Sequence, residues 1–354
     1  MQILYVGNGN YNHRGARYYD VGRKLVNGLI RGGHNVYFFS DRDTARAESW
    51  FGASKCGAAS CNRIFLETCA NFSPDLILFG HADLITLQSL QAVRKMSPRV
   101  KMAQFNVDSI CNPHTIAQIK STLPCMDATF ITTGGPALKK FHTPNGIVCY
   151  IPNPIDDSIE WPRCFERSDQ PYDVFWTLRA LKGSYADDLR LDAPLFLEKS
   201  GKVNIRYYGM NGQPLLYGAE YFREIAKAKM GLNISVARTR ADETDAAAEE
   251  MYLYASDRLS QYMGSGLLIF AVRKNRLEDV FAEDKEMVFF STKEELLEKI
   301  IYYKNNDAAR REIARAGWEK SHRFFNEKLV AKYIVEKTFR LALSEPYAWP
   351  VQDY

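Results

Sequence analysis

Ser256, Arg258 and Gln261 fall close together in the run Ala255-Ser256-Asp257-Arg258-Leu259-Ser260-Gln261-Tyr262-Met263-Gly264-Ser265-Gly266, and that spacing can hold an anion. Ser256 suits a helix N-cap and Arg258 its first turn, so that backbone N–H groups and one guanidinium point the same way. The apolar positions of 259–263 make the helix body, and Gly264 and Gly266 end it before an apolar strand at 267–272. An ordinary capped helix closed by glycine carries the same residues, so the surrounding sequence has to decide. Arg179 and Lys182 follow a strand at 173–177; two cations there could hold the oxygens of a diphosphate and offset charge on a departing group. Arg190 is a third cation, further along, and an exposed loop pair is the plainer alternative. Gly209 closes another strand, 203–208.

A second set lies in the first half. His81 and Asp83 follow the strand 76–79, and Asp108 follows the strand 102–107. A carboxylate so placed can take a proton from an attacking hydroxyl, and a histidine can orient the same group. Asp108 is the preferred base, with His81 as a further candidate on the acceptor side, while Asp83 suits the N-cap of the next helix better than catalysis. The loop Gly7-Asn8-Gly9-Asn10-Tyr11-Asn12-His13-Arg14-Gly15 occupies the place of a dinucleotide fingerprint, but the third glycine is missing at Asn12 and the loop is too long. It reads better as a glycine loop that lets a substrate approach the backbone, with His13 and Arg14 as acceptor contacts.

Such residues need a frame that gathers strand ends. Short apolar strands at 3–6, 35–39, 76–79, 102–107, 128–132 and 148–151 alternate with helices at 16–31, 84–95 and 113–121, which predicts a parallel doubly wound sheet. The rhythm stops at Pro152-Asn153-Pro154-Ile155-Asp156. It resumes with strands at 173–177, 203–208, 231–236 and 267–272 and helices at 219–229 and 256–263, followed by helices at 294–304, 308–324 and 326–343. The expected architecture is therefore α/β, with two doubly wound Rossmann-like domains facing a cleft. The expected boundaries are 1–152, 153–325, and a C-terminal helix and tail at 326–354 crossing back to the first domain. The acidic run 242–250 reads as a solvated loop.

Composition narrows the class. A chain of 354 residues, 46% hydrophobic and 25% charged, has enough apolar material for two cores. No apolar run reaches the roughly 18 to 20 residues of a membrane span, and the first residues enter a strand, so a cytoplasmic protein is expected. The seven cysteines show no metal or redox spacing and read as reduced, mostly buried thiols. Up to residue 150 there are 16 Lys and Arg against 9 Asp and Glu, a balance of +7; the whole chain carries +4, so the remainder carries 4 − 7 = −3. Arg14, Arg17, Arg23, Lys24 and Arg31 concentrate that charge, which suits an acidic acceptor or peripheral contact with an anionic membrane surface, or a merely solvated helix face. No nucleic-acid-binding motif accompanies it.

The stretch from Tyr221 through Ser235, the run from Asp257 to Gly266, and Glu286 to Phe290 with Thr292-Lys293-Glu294-Glu295-Leu296 together resemble the carboxyl half of GT-B glycosyltransferases. The likeness is to the spore-maturation-protein-like branch of the glycosyl-transferases-group-1 clan; it extends from Tyr221 to about Phe325 and is architectural before that. The segment Ile151-Pro152-Asn153-Pro154-Ile155-Asp156 is similar to the family's interdomain segment. The resemblance implies that the carboxyl domain holds a nucleotide sugar and the amino domain a glycan or glycolipid acceptor, as in surface polysaccharide or lipopolysaccharide synthesis. It implies that Ser256 and Arg258 meet the donor phosphates, with Gly264 and Gly266 packed beside them. Arg179 and Lys182 resemble the pair that grips the diphosphate, and Asp108 the aspartate-bearing loop. The loop at Gly209 would also touch the nucleotide. Gln261 stands where relatives carry a ribose-binding glutamate, and a glutamine carbonyl accepts such bonds less strongly than a carboxylate. Neither a metal nor a cofactor beyond the co-substrate is implied, and retention of configuration is slightly favoured. The alternatives are an epimerase or phosphorylase on the same scaffold, a two-lobed binding protein, or a scaffold without catalysis.

Overall fold

The computed structural model describes residues 1–50, 52–179, 188–235 and 251–354. Its backbone divides into two compact units, Met1–Pro152 with Glu327–Tyr354, and Asn153–Asn326. The first unit runs β1 (Gln2–Gly7), α1 (Val21–Arg31), β2 (Asn35–Ser40), α2 (Asp41–Ala47), α3 (Ala58–Phe72), β3 (Leu76–Phe79), α4 (Leu87–Met96), β4 (Lys101–Asn106), α5 (Pro113–Thr122), β5 (Ala128–Ile131) and β6 (Ile147–Tyr150). These strands form one parallel sheet in the order β2-β1-β3-β4-β5-β6. The central strands are buried along their length, which is why they read as unbroken apolar runs, whereas the edge strand β2 alternates.

In the second unit β7 (Tyr172–Thr177), α6 (Leu189–Lys199), β8 (Ile205–Tyr208), α7 (Gly218–Ile225), β9 (Ala228–Asn233), α8 (Asp257–Gly264), β10 (Leu268–Val272), β11 (Val288–Phe290), α9 (Lys293–Asn305) and α10 (Asp307–Phe324) follow in order. Its five-stranded sheet is also parallel, β11-β10-β9-β7-β8. Trp176, Met230, Leu232, Phe270 and Val288 are fully buried at its centre.

The chain then returns to the first unit as α11 (Glu327–Thr338), which lies against α1. Gly28 makes the approach possible: a Cβ there would sit 2.1 Å from the carbonyl oxygen of Glu327. Arg31, counted among the free basic residues, instead bonds Glu327 at 2.6 Å, and Lys24 is buried, so the basic face expected on this helix is largely absent. The end of the chain pairs with β6, Tyr354 N–H donating to the Val148 carbonyl at 2.9 Å, and so covers an exposed sheet edge.

Several element ends differ from expectation. α1 starts at Val21, not near residue 16, because the Asp20 carboxylate caps it through the Arg23 N–H at 2.7 Å and Arg14 and Gly15 take positive φ. Thr86, not Asp83, caps α4. α7 stops at Ile225 and β9 begins at Ala228, since Ala228 and Met230 are drawn into register with β7 and β10. All seven cysteines are free thiols; burial pushes those of Cys61, Cys69 and Cys164 up to about 12.

Candidate functional site

The carboxyl ends of β7 and β9 and the start of α8 are joined by one side chain. Arg258 donates from Nη1 to the Thr177 carbonyl at 2.8 Å and from Nη2 to the Ile234 carbonyl at 3.2 Å, and its guanidinium lies 4.1 Å from the centre of the Trp176 ring. Burial pulls its pKa below the usual guanidinium value, against the opposing pull of the nearby Tyr262, Tyr221 and Asp257 groups. It therefore braces the strand ends before it can serve anything else, and its Nε is buried without a partner. Two more polar groups at the same helix start are buried and unbonded, Asn233 Nδ2 and Ser256 Oγ. Ser256 occupies the N-cap position without a side-chain cap bond; its N–H instead donates to Ser235 Oγ at 3.1 Å, and Ser235 Oγ meets Asn233 Oδ1 at 3.3 Å. Asn153, from the start of the unit, donates to the Ala255 carbonyl at 2.8 Å. Buried donors without partners are rare in folded proteins, and the three at this helix N-terminus are groups that an anion could satisfy.

Other expected residues have different duties. Gln261 is buried and bonded at both ends of its amide: its carbonyl accepts from the Tyr221 hydroxyl at 2.7 Å and its NH₂ donates to Asp257 Oδ2 at 3.2 Å. Gly264 and Gly266 make room for protein and not for a ligand, because a Cβ at the first would lie 2.9 Å from Glu160 and Ile155 atoms and at the second 2.6 Å from the Phe165 ring. Gly209 follows β8 with φ 75°, and a Cβ there would be 2.1 Å from the Leu178 carbonyl oxygen. Arg179 is exposed just beyond β7, where Nη2 donates to the Tyr217 hydroxyl at 3.0 Å. Arg190 is spent on Asp188, 2.7 Å from Nε to Oδ1. Lys182 and the acidic run 242–250 lie outside the described residues.

In the first unit His81 and Asp108 come together, Nε2 to Oδ2 at 3.8 Å, with both side chains open to solvent. The Asp108 N–H donates to Asn106 Oδ1 at 2.9 Å, which fixes the loop at the end of β4. A cavity of about 410 Å³ opens beside them, lined by Gly80, His81, Asp83, Asn106, His114 and Gln118. Asp83 is held by Arg42 and Gln118. His13 lies in the short helical turn Tyr11–His13 of the loop after β1.

Residues 190–336 match the family model described as glycosyl transferase-like. By sequence, no match is found among curated proteins. Solved structures resemble the chain over nearly its whole length. A sucrose-phosphate synthase from Thermosynechococcus elongatus aligns with a TM-score of 0.58 at 11% identity, covering 96% of this chain and 98% of its own. A glycosyltransferase from Rickettsia africae gives 0.56 at 11% identity, with coverage of 97% and 99%. Anabaena HepE in complex with UDP-glucose gives 0.53 at 11% identity, with coverage of 96% and 100%.

The chain has the GT-B fold.

The family match is confined to residues 190–336, and the solved structures, at 11% identity, carry the fold alone. Asn153, Asn233 and Ser235 were not among the residues singled out by sequence, although all three sit where a GT-B unit gathers its loops. The signal was available for Asn233 and Ser235: both are small polar residues at the carboxyl end of an apolar strand, where α/β sheets bind ligands. Among the described residues, no helix is long and apolar enough to cross a membrane.

Proposed function

We propose that this chain transfers a sugar from a nucleotide donor, held by the unit Asn153–Asn326, to a hydroxyl of a glycan or glycolipid held by the unit containing Met1–Pro152. The observation that carries the donor assignment is the set of buried, unbonded donors at the start of α8, Asn233 Nδ2, Ser256 Oγ and Arg258 Nε, beside the exposed Arg179. A diphosphate would satisfy them, and positive charge from Arg179, Lys182 and the helix N–H groups would offset the negative charge that develops on the leaving phosphate. The nucleotide would lie along the loop at Gly209. On the acceptor side Asp108, oriented by His81, would take the hydroxyl proton, and His13 would touch the acceptor. The reading includes transfer without a metal, with retained configuration, by a cytoplasmic enzyme of surface polysaccharide synthesis in the spore-maturation-protein-like branch.

The test is thermal stabilisation by UDP, GDP, CMP, TDP, ADP and their sugars, because a ligand that binds only the folded chain raises its melting temperature. One nucleotide is expected to stand out, and Arg179→Ala should weaken it by about tenfold, the loss of one charge-assisted contact. No shift with any of them would remove the donor site, and undiminished transfer by Asp108→Asn would remove the proposed base.

A further inference from the structure

Asn275, in the short helical turn Arg273–Asn275 that follows β10, is only 1% exposed. Asparagine is mostly a surface residue, so its burial has to be explained by what it bonds. β10 runs beside β9 there, with Ala271 opposite Asn233, and Asn275 reaches the segment that enters α8. Its Nδ2 donates to the Tyr254 carbonyl at 2.9 Å and to the Met251 carbonyl at 3.3 Å, while its main-chain carbonyl accepts from the Leu253 N–H at 2.7 Å. One residue thus grips Met251, Leu253 and Tyr254 together. Its Oδ1 is left buried and unbonded, since both side-chain contacts are made to carbonyls and use the donor end of the amide.

The gripped segment is strained. The Tyr254 N–H donates to the Met251 carbonyl at 3.0 Å, closing a turn whose third residue, Leu253, takes φ 56°. Positive φ at that position belongs to glycine or asparagine; in leucine it sets Cβ against the following carbonyl, and the residue returns to negative φ unless its surroundings hold it. Burial of the Leu253 side chain and the bonds from Asn275 hold it. The next two residues are fixed from outside as well, the Ala255 carbonyl by Asn153 and the Ser256 N–H by Ser235, so that Ser256 arrives at the start of α8 with its Oγ unbonded. The body of the helix has separate support, because Leu259, Tyr262 and Met263 are buried. Loosening the turn therefore shifts the helix start without unseating the helix.

We infer that Asn275 is a positioning residue for the site at the start of α8. It keeps the turn Met251–Tyr254 in its strained form and so sets where Ser256 Oγ and the first N–H groups of the helix meet the donor phosphates, without touching the ligand itself. The inference rests on the donor-phosphate reading of that helix start. Its mark is a weaker grip on the nucleotide, separate from any loss of stability, because one hydrogen bond to a charged group is worth roughly tenfold in affinity.

Calorimetric titration of the full chain with UDP, GDP, CMP, TDP and ADP at pH 5 and pH 8 tests it, beside melting curves taken without nucleotide. Asn275→Ala should weaken the nucleotide that the wild type binds by about tenfold at both pH values. Asn275→Asp is isosteric and preserves the packing, but when ionised it sets an acceptor against two carbonyls; burial raises its pKa, and once protonated it donates to one of them again. It should therefore bind about tenfold more weakly than the wild type at pH 8 and recover toward the wild type at pH 5. Gly28→Ala, which loosens the first unit, should melt lower and leave the dissociation constant unchanged. Asn275 variants that melt lower yet bind as the wild type does, or an Asn275→Asp variant equally weak at both pH values, would overturn the inference and leave the donor site standing. A wild type that binds none of the five nucleotides would overturn both.

Discussion

Gln261 shows how a neighbour can decide a residue type. Its amide donates to Asp257 while its carbonyl accepts from Tyr221, so each end has a partner of the right polarity. A glutamate would keep the Tyr221 bond but set one of its carboxylate oxygens against Asp257 Oδ2, and its own burial with that like charge beside it would raise its pKa. Gln261→Glu should therefore lower stability at pH 8 by about 1–2 kcal/mol. The new acid's folded pKa would be raised, so the loss should shrink as pH falls toward the ordinary carboxylate range. Asp257→Asn added to it should restore the donor–acceptor match and recover the midpoint. Denaturant midpoints at pH 5 and pH 8 measure this, and a single variant as stable as wild type at both would show that Asp257 does not constrain the position. Sequence alone gave the cluster Ser256, Arg258 and Gln261, but it could not show that Arg258 reaches Thr177, 81 positions away, or that Gln261 is already engaged. Those facts depend on which strands become neighbours.

Elements were legible where local and tertiary preferences agree. The apolar strands of both sheets and the proline break at 152–154 follow from pattern alone, because a parallel strand buried on both faces is apolar throughout. The errors fell where packing overrides propensity. Ala228 and Met230 are good helix formers, yet their pairing with Tyr172 and Leu268 makes them strand. The α1–α11 contact is the least legible, since it joins residues about 300 positions apart and rests on one glycine. At Gly28 a methyl group would meet the Glu327 carbonyl oxygen at 2.1 Å and the Ala331 Cβ at 3.0 Å, and backbone cannot swing aside as a side chain can. Gly28→Ala gains helix propensity but should still destabilise the chain by about 2–3 kcal/mol through overpacking. A chemical-denaturation curve is the measurement; a variant equal to or above wild type would mean that α11 sits less tightly than drawn.

At the scale of the molecule the first unit is discontinuous and the second is not. The chain leaves the first unit after Pro152 and re-enters it at Glu327. The crossing strands lie side by side at the base of the second unit, where the Ile155 N–H donates to the Phe325 carbonyl at 2.9 Å. A fragment of residues 153–326 therefore keeps its sheet and its helices, and should melt cooperatively and retain nucleotide-induced stabilisation. A fragment of residues 1–152 loses α11, whose Val330, Ala331, Tyr333 and Ile334 are all essentially buried. At roughly 1.5–3 kcal/mol for each large apolar side chain, that loss rivals the 5–15 kcal/mol that stabilises a whole domain. It also removes the Tyr333 ring that packs on Phe130, with centroids 6.2 Å apart, and on Trp349, 5.6 Å apart. Residues 1–152 alone should show no cooperative melt by circular dichroism, whereas the same residues joined by a flexible linker to 327–354 should recover one. A cooperative melt of the short fragment, or none in the joined one, would mean that α11 is an appendage to the first unit and not a part of its core.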